Sequence, residues 1–310
     1  MSDIVGIIVV TYNSSKDILT LLHSIHKQSY NNVRIYIIDN SSTDSTLIEI
    51  SDFIHETKIN IKVYINKENL GFAKGNNIGI KQSVSDGCTY SFILNPDMEL
   101  DKECLINLIN RTKADNNLDI VGPVVLYGDK KKPTIQVYGI GANFKTQKKN
   151  ILFSNQSLDS SIPEELVVDY VNGGSMLIKN NILKKAGLFE ERYFMYNDEL
   201  DLALRINNLG YKFLVIKSAI VYHHHDWSTR NKKGYYLLYY YGIRNKYLYF
   251  KKYRFFNYLI WDLFKEILSI PIKLKWAKRV ADIKLVKFYY LGLWRGLRGE
   301  IGKTNINFDK

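Results

Sequence analysis

Hydrophobic and polar positions over residues 1–127 alternate between two patterns. Continuous apolar runs, which are typical of strands covered on both faces, are separated by segments whose apolar residues recur three and four positions apart. The runs predict strands at residues 4–10, 33–38, 61–65, 90–94 and 120–127. Strands that alternate with helices in this way indicate an α/β fold around a mostly parallel sheet.

The remainder of the chain changes character several times. Residues 128–165 are polar with little periodicity, which predicts an insertion or a loop. Strand-like runs return at residues 167–178, 212–216 and 219–222. Residues 198–209 have a helical pattern, and so do residues 232–298, in which Pro271 is expected to separate two helices.

The net charge of +12 is distributed unevenly along the chain. Residues 1–229 hold 24 Lys and Arg against 26 Asp and Glu, whereas residues 230–310 hold 19 against 5 and are rich in tyrosine. A basic, aromatic segment favours an anionic membrane surface; nucleic acid, or a solvated helical face with tyrosines packed inward, are the alternatives. Two cysteines are too few for a disulfide framework, and no apolar stretch reaches the roughly 18 residues of a membrane span. We therefore expect a cytoplasmic protein, soluble or peripheral to a membrane.

Polar residues collect where four of the predicted strands end. These segments are Thr11-Tyr12-Asn13, residues 39–44, residues 69–77 and Asn95-Pro96-Asp97. Ligands of open α/β sheets bind beyond the carboxyl ends of the strands. Any one segment could be an ordinary turn with capping residues, but four of them at one sheet edge indicate a shared ligand site.

These segments resemble the motifs of glycosyltransferase family 2. The first strand end is similar to a Val-Thr-Tyr-Asn segment of the family, at residues 10–13. Residues 39–44 match an Asp-Asn-x-Ser-x-Asp turn, and residues 69–77 match an Asn-x-Gly-x-x-x-Gly-x-Asn loop. The resemblance covers roughly residues 4–250, and the Asn-Pro-Asp segment is similar to the rhamnosyltransferase-like branch of the family.

The resemblance implies a GT-A fold, with a Rossmann-like sheet flanked by helices in a catalytic domain of residues 1–230. A basic, Tyr-rich helical tail, residues 231–310, follows it. The implied contacts to a nucleotide sugar are Thr11, Tyr12, Asn13, Asp39, Asn69, Gly71, Lys74, Asn77, Asn95 and Asp97. Among them, Asp39 is expected at the pyrimidine base, and Lys74 at the base or the diphosphate.

A divalent cation, Mg²⁺ or Mn²⁺, is also implied. Many relatives carry Asp-x-Asp at the fourth strand end, whereas this chain has Asn95 in place of the first carboxylate and keeps Asp97 as the metal ligand. One carboxylate suffices for Mg²⁺ when substrate phosphates supply further ligands. A histidine late in the domain is the second implied ligand; His223 is the first candidate, with His224 and His225 as alternatives.

The family places its general base in a Tyr-x-Glu-Asp-x-Asp-Leu segment. Here the two acids occur in reverse order, Asp198 before Glu199. Glu199 aligns with the family's base, and its longer side chain can still reach an acceptor hydroxyl. Asp198 is the alternative.

Residues on the acceptor side are implied by a Gly-Gly-Ser segment, at Gly173, Gly174 and Ser175. Paired glycines allow the backbone to approach a ligand closely, and they are also common in bulges and turns. Trp227 follows the histidines and is expected either to stack on a sugar or to pack in the protein.

Together these features predict an inverting hexosyltransferase that moves L-rhamnose from dTDP-rhamnose to a lipid-linked precursor of a cell-surface polysaccharide such as an O-antigen. The partners are a dTDP- or UDP-linked sugar, a lipid-linked glycan and, through the tail, the anionic inner face of the plasma membrane. Nucleic acid is not expected as a partner, and an oligomer is possible. The alternatives are a transferase using a UDP-hexose, a nucleotidyltransferase, and a non-catalytic scaffold that binds membrane or nucleic acid.

Overall fold

The computed structural model describes residues 3–114, 119–224, 231–279 and 282–308. Contacts between residues divide the chain into two compact units. The first unit consists of Met1–Ala142, Lys149–Phe189 and Leu202–Asp226. The second consists of Asn143–Lys148, Glu190–Asp201 and Trp227–Lys310. The second unit therefore contains the C-terminal helices together with a turn at residues 143–148 and an acidic segment at residues 190–201.

The first unit is built on a ten-stranded sheet. Its strands are β1 (Val5–Thr11), β2 (Val33–Asp39), β3 (Ile61–Ile65), β4 (Tyr90–Leu94), β5 (Met98–Leu100), β6 (Ile120–Tyr127), β7 (Thr134–Val137), β10 (Glu165–Val168), β11 (Ser175–Lys179) and β12 (Phe213–His223). They lie in the order β10-β12-β6-β11-β4-β1-β2-β3, with β5 paired to β12 and β7 paired to β6. A separate two-stranded sheet is formed by β8 (Gly139–Asn143) and β9 (Lys148–Leu152).

The sheet is parallel in its first half and mixed in its second half. Strands β1 to β4 run parallel, as β6 and β12 do, whereas β11 pairs antiparallel with both β4 and β6. The carboxyl ends of β1, β2, β4, β6 and β12 therefore meet at one edge, where β11 begins. The two runs predicted at residues 212–216 and 219–222 form the single strand β12, which contains an irregularity between Ile216 and Ile220.

The polar segment at residues 128–165 is not a loop, so the loop alternative was wrong, whereas the insertion alternative stays a prediction. It contains β7, β8 and β9. Two features obscure the strand pattern. Strand β9 is largely exposed, and the buried residues Ile135, Gln136 and Tyr138 form only a short stretch between polar turns. Strands at a partly solvated edge lack the continuous apolar run of a central strand.

The helices are α1 (Ile18–His26), α2 (Thr46–Thr57), α3 (Gly71–Ser85), α4 (Cys104–Ala114), α5 (Asn180–Ala186) and α6 (Asp198–Asn208). Most of the segment predicted as a loop at residues 69–77 belongs to α3. Gly75 and Gly79 lie one turn apart on the helix, and a Cβ at either position would come within 2.8 Å of Val10 or 2.4 Å of Ile8, respectively. These glycines therefore allow α3 to pack directly on β1.

The helices of the C-terminal segment are α7 (Lys232–Lys252), α8 (Phe256–Leu268), α9 (Ile270–Arg279) and α10 (Ile283–Arg298). Pro271 is the second residue of α9, where a missing N–H is tolerated, and the predicted break between two helices lies beside it. Among the described residues, no helix is both long enough and apolar enough to cross a bilayer.

The aromatic residues of α7 form the core of the second unit. Tyr240, Tyr241 and Tyr247 are almost completely buried. Helix α10 packs so closely on α7 that a Cβ at Gly292 would lie 2.3 Å from the carbonyl oxygen of Tyr240. These tyrosines of α7 are thus packing residues, as expected for the alternative in which the tyrosines of the basic segment pack inward.

Candidate active site

The ends of β1 and β2 are joined by a buried hydrogen bond. Thr11 and Asp39 are register partners in the parallel pair, and both are inaccessible to solvent. The Thr11 hydroxyl donates to Oδ1 of Asp39 over 2.8 Å. The strand pairing therefore brings together two of the residues expected at the nucleoside.

The turn after β2 fixes the Asp39 carboxylate further. Ser42 donates to it twice, from its hydroxyl to Oδ1 at 2.6 Å and from its backbone N–H to Oδ2 at 2.8 Å. The Ser42 hydroxyl in turn accepts the backbone N–H of Asn13 at 2.9 Å. Ser42 was not among the predicted contacts; its place in the Asp-Asn-x-Ser-x-Asp turn was the available signal.

The side chain of Asn13 links the turn after β1 to the turn after β2. Its Oδ1 accepts the backbone N–H of Thr43 at 2.8 Å, and its own φ is 54°, a left-handed conformation that asparagine tolerates better than most residues. The neighbouring Tyr12 is 50% exposed, so its ring is accessible beside the strand end. Asp44 closes the second turn: burial opposes ionisation, but hydrogen bonds from Thr46 and Ser15 hold its pKa down at about 2.

The residues at the start of α3 have different roles. Asn69 accepts the N–H of Gly71 at 2.9 Å, and Gly71 has a φ of 83°, which suits glycine at a helix entry. Lys74 follows in the first turn of the helix with an exposed side chain. Asn77 is buried, and its amide both donates to and accepts from the backbone of Phe189, at 2.9 Å each. This gives Asn77 a structural function, and its contact with a nucleotide stays a prediction.

Asp97 and His223 meet at the same edge of the sheet. Nε2 of His223 lies 3.0 Å from Oδ2 of Asp97, and their side chains are 10% and 27% exposed. Nδ1 of His223 lies 2.8 Å from Oε1 of Gln136, a buried residue on β7. Both ring nitrogens thus face an oxygen acceptor. If Nδ1–H donates its hydrogen bond to Gln136, only a proton or a cation between Nε2 and Asp97 can make the second contact favourable.

This donor set fits a divalent cation. Two adjacent ligands of an octahedral ion bound at about 2.1 Å are about 3.0 Å apart, which is the separation of the two side-chain atoms. Within the described ranges, no group of three or more His, Cys, Asp or Glu side chains is placed to hold a metal. Asp97 and His223 would therefore supply two ligands, and substrate phosphates would supply others.

His224 has a different partner from His223. Nε2 of His224 lies 2.9 Å from Oε2 of Glu99, which also pairs with Lys130 at 2.6 Å. The carboxylate that the His224 ring contacts is thus Glu99, whereas His223 contacts Asp97. His225 and Trp227 lie outside the described residues, so their predicted roles stay predictions.

The Gly-Gly-Ser segment lies against the Asn-Pro-Asp turn. The backbone N–H of Asn95 donates to the carbonyl of Gly174 at 2.9 Å. A Cβ at Gly174 would lie 2.6 Å from Nδ2 of Asn95, so only glycine fits there without a shift of that amide. Gly173 and Ser175 are buried beside it. The segment thus shapes the fourth strand end, and its contact with an acceptor stays a prediction.

The acidic pair belongs to the second unit. Asp198 begins α6 and is 1% exposed, and Glu199 follows it with partial exposure. The turn before them contains three non-glycine residues with positive φ: 68° at Phe194, 65° at Tyr196 and 67° at Asn197. Such conformations cost about 1–3 kcal/mol each and persist only where surrounding contacts enforce them.

Two buried residues of α7 enforce this turn. Nδ2 of Asn245 lies 3.0, 2.7 and 3.0 Å from the carbonyl oxygens of Tyr193, Met195 and Tyr196. Arg244 donates to the Tyr193 carbonyl at 2.7 Å and to Oδ1 of Asn245 at 2.9 Å. The Arg244-Asn245 pair is therefore a clamp on the backbone that leads into the acidic pair.

A carboxylate cluster next to this turn is also fully engaged. Asp201 accepts from Lys252 at 2.7 Å and from the hydroxyls of Tyr193 and Tyr253 at 3.1 and 2.9 Å. Glu190 accepts from Lys252 at 2.8 Å as well. Burial opposes ionisation of Glu190, but hydrogen bonds from Arg192 and Lys252 lower its pKa to about 2.

The parallel strands and the helices that flank them define an α/β fold of the GT-A class. A structure of GalNAc-T7 with UDP, GalNAc and Mn²⁺ has the same fold, with a TM-score of 0.61 and 14% identity over 80% of this chain and 47% of that one. The chain belongs to glycosyltransferase family 2, whose model matches residues 6–175.

Two relatives illustrate the range of the family around this chain. The low-salt glycan biosynthesis hexosyltransferase Agl10 of Haloferax volcanii is 28% identical over 211 residues, which is 66% of this chain and 62% of the relative. The N-acetylglucosaminyl-diphospho-decaprenol L-rhamnosyltransferase of Mycobacterium tuberculosis is 23% identical over 251 residues, 74% of this chain and 78% of the relative. The chain thus spans less than two thirds of the length of Agl10.

Proposed function

We propose that the protein is a metal-assisted, inverting glycosyltransferase that uses a nucleotide-diphosphate sugar. The observation that carries this proposal is the placement of Asp97 and His223 at the sheet edge where Thr11 and Asp39 also end their strands, in a chain of glycosyltransferase family 2. A nucleoside binds beyond parallel strand ends, and its diphosphate then lies near a cation ligand.

The nucleotide would be recognised by the hydrogen-bonded turns after β1 and β2. Asp39 is oriented by Thr11 and Ser42, so its carboxylate is held in place before a base arrives. Tyr12 offers an exposed ring, and Lys74 offers an exposed positive charge at the start of α3. A pyrimidine base and an anionic diphosphate are the groups that match these side chains.

Asp97 and His223 would hold Mg²⁺ or Mn²⁺, as the fit of their spacing supports. The cation would stabilise the negative charge that develops on the departing nucleoside diphosphate. Gln136 would keep the imidazole in the tautomer whose Nε2 is free of a proton, because its Oε1 accepts from Nδ1.

Glu199 is proposed as the general base that takes the proton of the acceptor hydroxyl as its oxygen attacks the anomeric carbon. A base must reach its substrate within hydrogen-bond distance. Glu199 is partly exposed, whereas Asp198 is buried at the first turn of α6, which supports the alignment-based choice of Glu199. Inversion follows from a single displacement of this kind.

The donor is proposed to be dTDP-L-rhamnose and the acceptor a lipid-linked glycan at the inner face of the plasma membrane. The Asn95-Pro96-Asp97 segment and the M. tuberculosis relative, an L-rhamnosyltransferase by name, support rhamnose. The name of that relative also supports a diphospho-polyprenol acceptor. Agl10 is named a hexosyltransferase, so a UDP-hexose is the second candidate donor.

A donor panel tests the proposal. The full chain is incubated with Mg²⁺ or Mn²⁺ and with dTDP-rhamnose, UDP-hexoses or GDP-mannose, with and without a short polyprenyl-diphosphate sugar. Released nucleoside diphosphate is measured, and the product anomer is assigned by NMR. We expect the fastest release from dTDP-rhamnose and an inverted product.

Each other result of this panel identifies an alternative. Turnover of a UDP-hexose alone would show that the rhamnose assignment is wrong. A parallel incubation with a nucleoside triphosphate and a sugar phosphate would indicate a nucleotidyltransferase if pyrophosphate were released. Absence of turnover with every donor and either metal would contradict the proposed activity as a whole.

A further inference from the structure

We infer that the protein docks on an anionic phospholipid bilayer through the outer face of α8 and α9, and not through its tyrosine-rich helix α7. Seven exposed apolar side chains form this docking face: Phe256, Ile260, Trp261, Phe264, Ile267, Leu268 and Ile272. Between 50% and 71% of each of these side chains is exposed. The inference concerns membrane docking and goes beyond the proposed reaction.

The spacing of these residues gives α8 a wide apolar side, of which one part is exposed and the adjoining part packs on the protein. Phe256, Ile260, Phe264 and Ile267 recur at intervals of four, four and three, so they line one side of the helix. The adjoining side, which faces the core of the second unit, carries Leu259 and Leu263, and these pack on the cluster of Ile243, Tyr247 and Leu293. The core of the second unit is therefore satisfied without the docking face.

The acidic residues of this segment point away from the docking face. Asp262 and Glu266 are the only Asp or Glu residues between positions 255 and 281. Asp262 pairs with Lys246 of α7 at 2.5 Å, and Glu266 is buried and pairs with Lys273 at 2.5 Å. No carboxylate of this segment is thus left to repel a negatively charged surface.

Basic and aromatic side chains border the docking face in the arrangement that suits lipid headgroups. Lys265 lies 5.1 Å from the ring of Trp261, which stacks on Phe264 with ring centroids 5.8 Å apart. Lys275 and Arg279 are exposed on α9. A face with Trp and Phe inserted between lysines binds the boundary between headgroups and acyl chains of anionic membranes. A protein partner would need carboxylates opposite these cations and a complementary apolar surface, whereas a bilayer supplies both properties at once.

Helix α7 provides the contrast that selects α8 and α9. It has the higher density of tyrosines, but Tyr236, Tyr240, Tyr241, Tyr247 and Tyr249 are all buried in the second unit. Composition alone therefore points to the wrong helix.

Sedimentation of the full-length protein with lipid vesicles tests the inference. Vesicles of phosphatidylcholine are compared with vesicles that also contain phosphatidylglycerol, without donor, acceptor or metal. We expect binding to the anionic vesicles and a loss of at least about tenfold in the partition coefficient for Trp261→Glu/Phe264→Glu. The matched control is Ile48→Glu/Ile65→Glu, which removes two side chains that are each 64% exposed in the first unit and should leave binding unchanged.

The electrostatic part is tested separately with Lys265→Gln/Lys275→Gln. Each lysine near an anionic surface is worth a factor of about five in binding, so the pair should cost about 30-fold on anionic vesicles and little on neutral ones. Equal binding of wild type and Trp261→Glu/Phe264→Glu, or no binding of wild type to either vesicle, would overturn the inference. If that double variant instead turns a dimer into a monomer by light scattering, the docking face is an interface between two copies.

These outcomes are separable from the proposed reaction. Vesicle binding requires no sugar donor, so it can succeed when the donor panel fails. Donor hydrolysis by the same variants in lipid-free solution should equal that of the wild type, and a protein that turns over its donor without binding vesicles would contradict only the docking inference.

Discussion

The edge of the sheet in the first unit and the acidic turn in the second unit carry the same proposed chemistry but are built in opposite ways. At the sheet edge, Thr11 and Asp39 lie side by side because parallel pairing puts them in register. At the acidic turn, the backbone before Asp198 is in unfavourable conformations and is held by Asn245, nearly fifty residues further along the chain. The first site follows from topology, whereas the second depends on one remote clamp and is the more easily lost.

The comparison is tested most strongly at the cation site. Asp97→Ala should lower kcat/KM by at least about a thousandfold, because it removes the only carboxylate proposed to hold the cation at the leaving diphosphate. Turnover is measured at several Mn²⁺ concentrations, and Tm is measured in parallel. Glu99→Ala is the matched control: it removes a carboxylate two residues away that pairs with Lys130 and His224, and it should retain activity to within about tenfold. Full activity of Asp97→Ala would contradict the proposal that Asp97 holds the cation.

The second prediction separates the two acids of the turn. Glu199→Gln should reduce kcat by about a hundredfold or more with little change in the donor KM, as expected for loss of a general base. Asp198→Asn should instead mainly lower Tm, because Asp198 is 1% exposed and begins α6. If Asp198→Asn abolishes turnover at an unchanged Tm while Glu199→Gln stays active, the base is Asp198 and the alignment with the family is shifted by one residue.

Much of the sheet edge could be predicted from the sequence, because a strand end is marked locally. The apolar runs before Thr11, Asp39 and Asp97 locate those residues, and the parallel topology brings them to one side. His223 could be proposed for the same reason. The membership of the family and the GT-A fold, both anticipated from these motifs, are confirmed.

The rest could not be predicted because its signals are not local. Gly75 lies in a segment that was interpreted as a loop, yet Gly75 and Gly79 form the face of helix α3 that packs on Val10 and Ile8. Gln136 lies in a segment whose polar pattern concealed a strand, so its contact with His223 had no marker. The clamp on the acidic turn joins Asn245 to carbonyl groups, which leave no trace in the side-chain sequence.

The clamp itself gives the third prediction. Asn245→Ala should destabilise the fold by about 1–3 kcal/mol, because it leaves buried carbonyl groups of the turn without a donor. If the turn positions the base, kcat should also fall by about tenfold while the donor KM stays constant. Asn207→Ala is the matched control, since the Asn207 amide donates to the carbonyls of Asp169 and Ala203 in the first unit. That variant should lose stability without a change in kcat; a parallel loss of kcat in both variants would show that Asn245 acts through stability alone.

The smallest effect on turnover is expected at Gln136. Gln136→Ala should weaken Mn²⁺ binding by about 10–100-fold while changing kcat at saturating metal by only about threefold, because Gln136 orients His223 without touching the cation. The affinity is measured by titrating Mn²⁺ into the protein with a nucleoside diphosphate and following the free ion by electron paramagnetic resonance. Gln136→Glu should keep most of the wild-type Mn²⁺ affinity, since a carboxylate oxygen can also accept the hydrogen bond from Nδ1–H of His223. Gln28→Ala is the control, because Gln28 is 8% exposed and holds only the backbone around α1 and α4. Unchanged Mn²⁺ affinity in Gln136→Ala would mean that strand pairing alone orients His223. The geometry of the Asp97–His223 pair would then depend on strand register and not on a side chain from another part of the sequence.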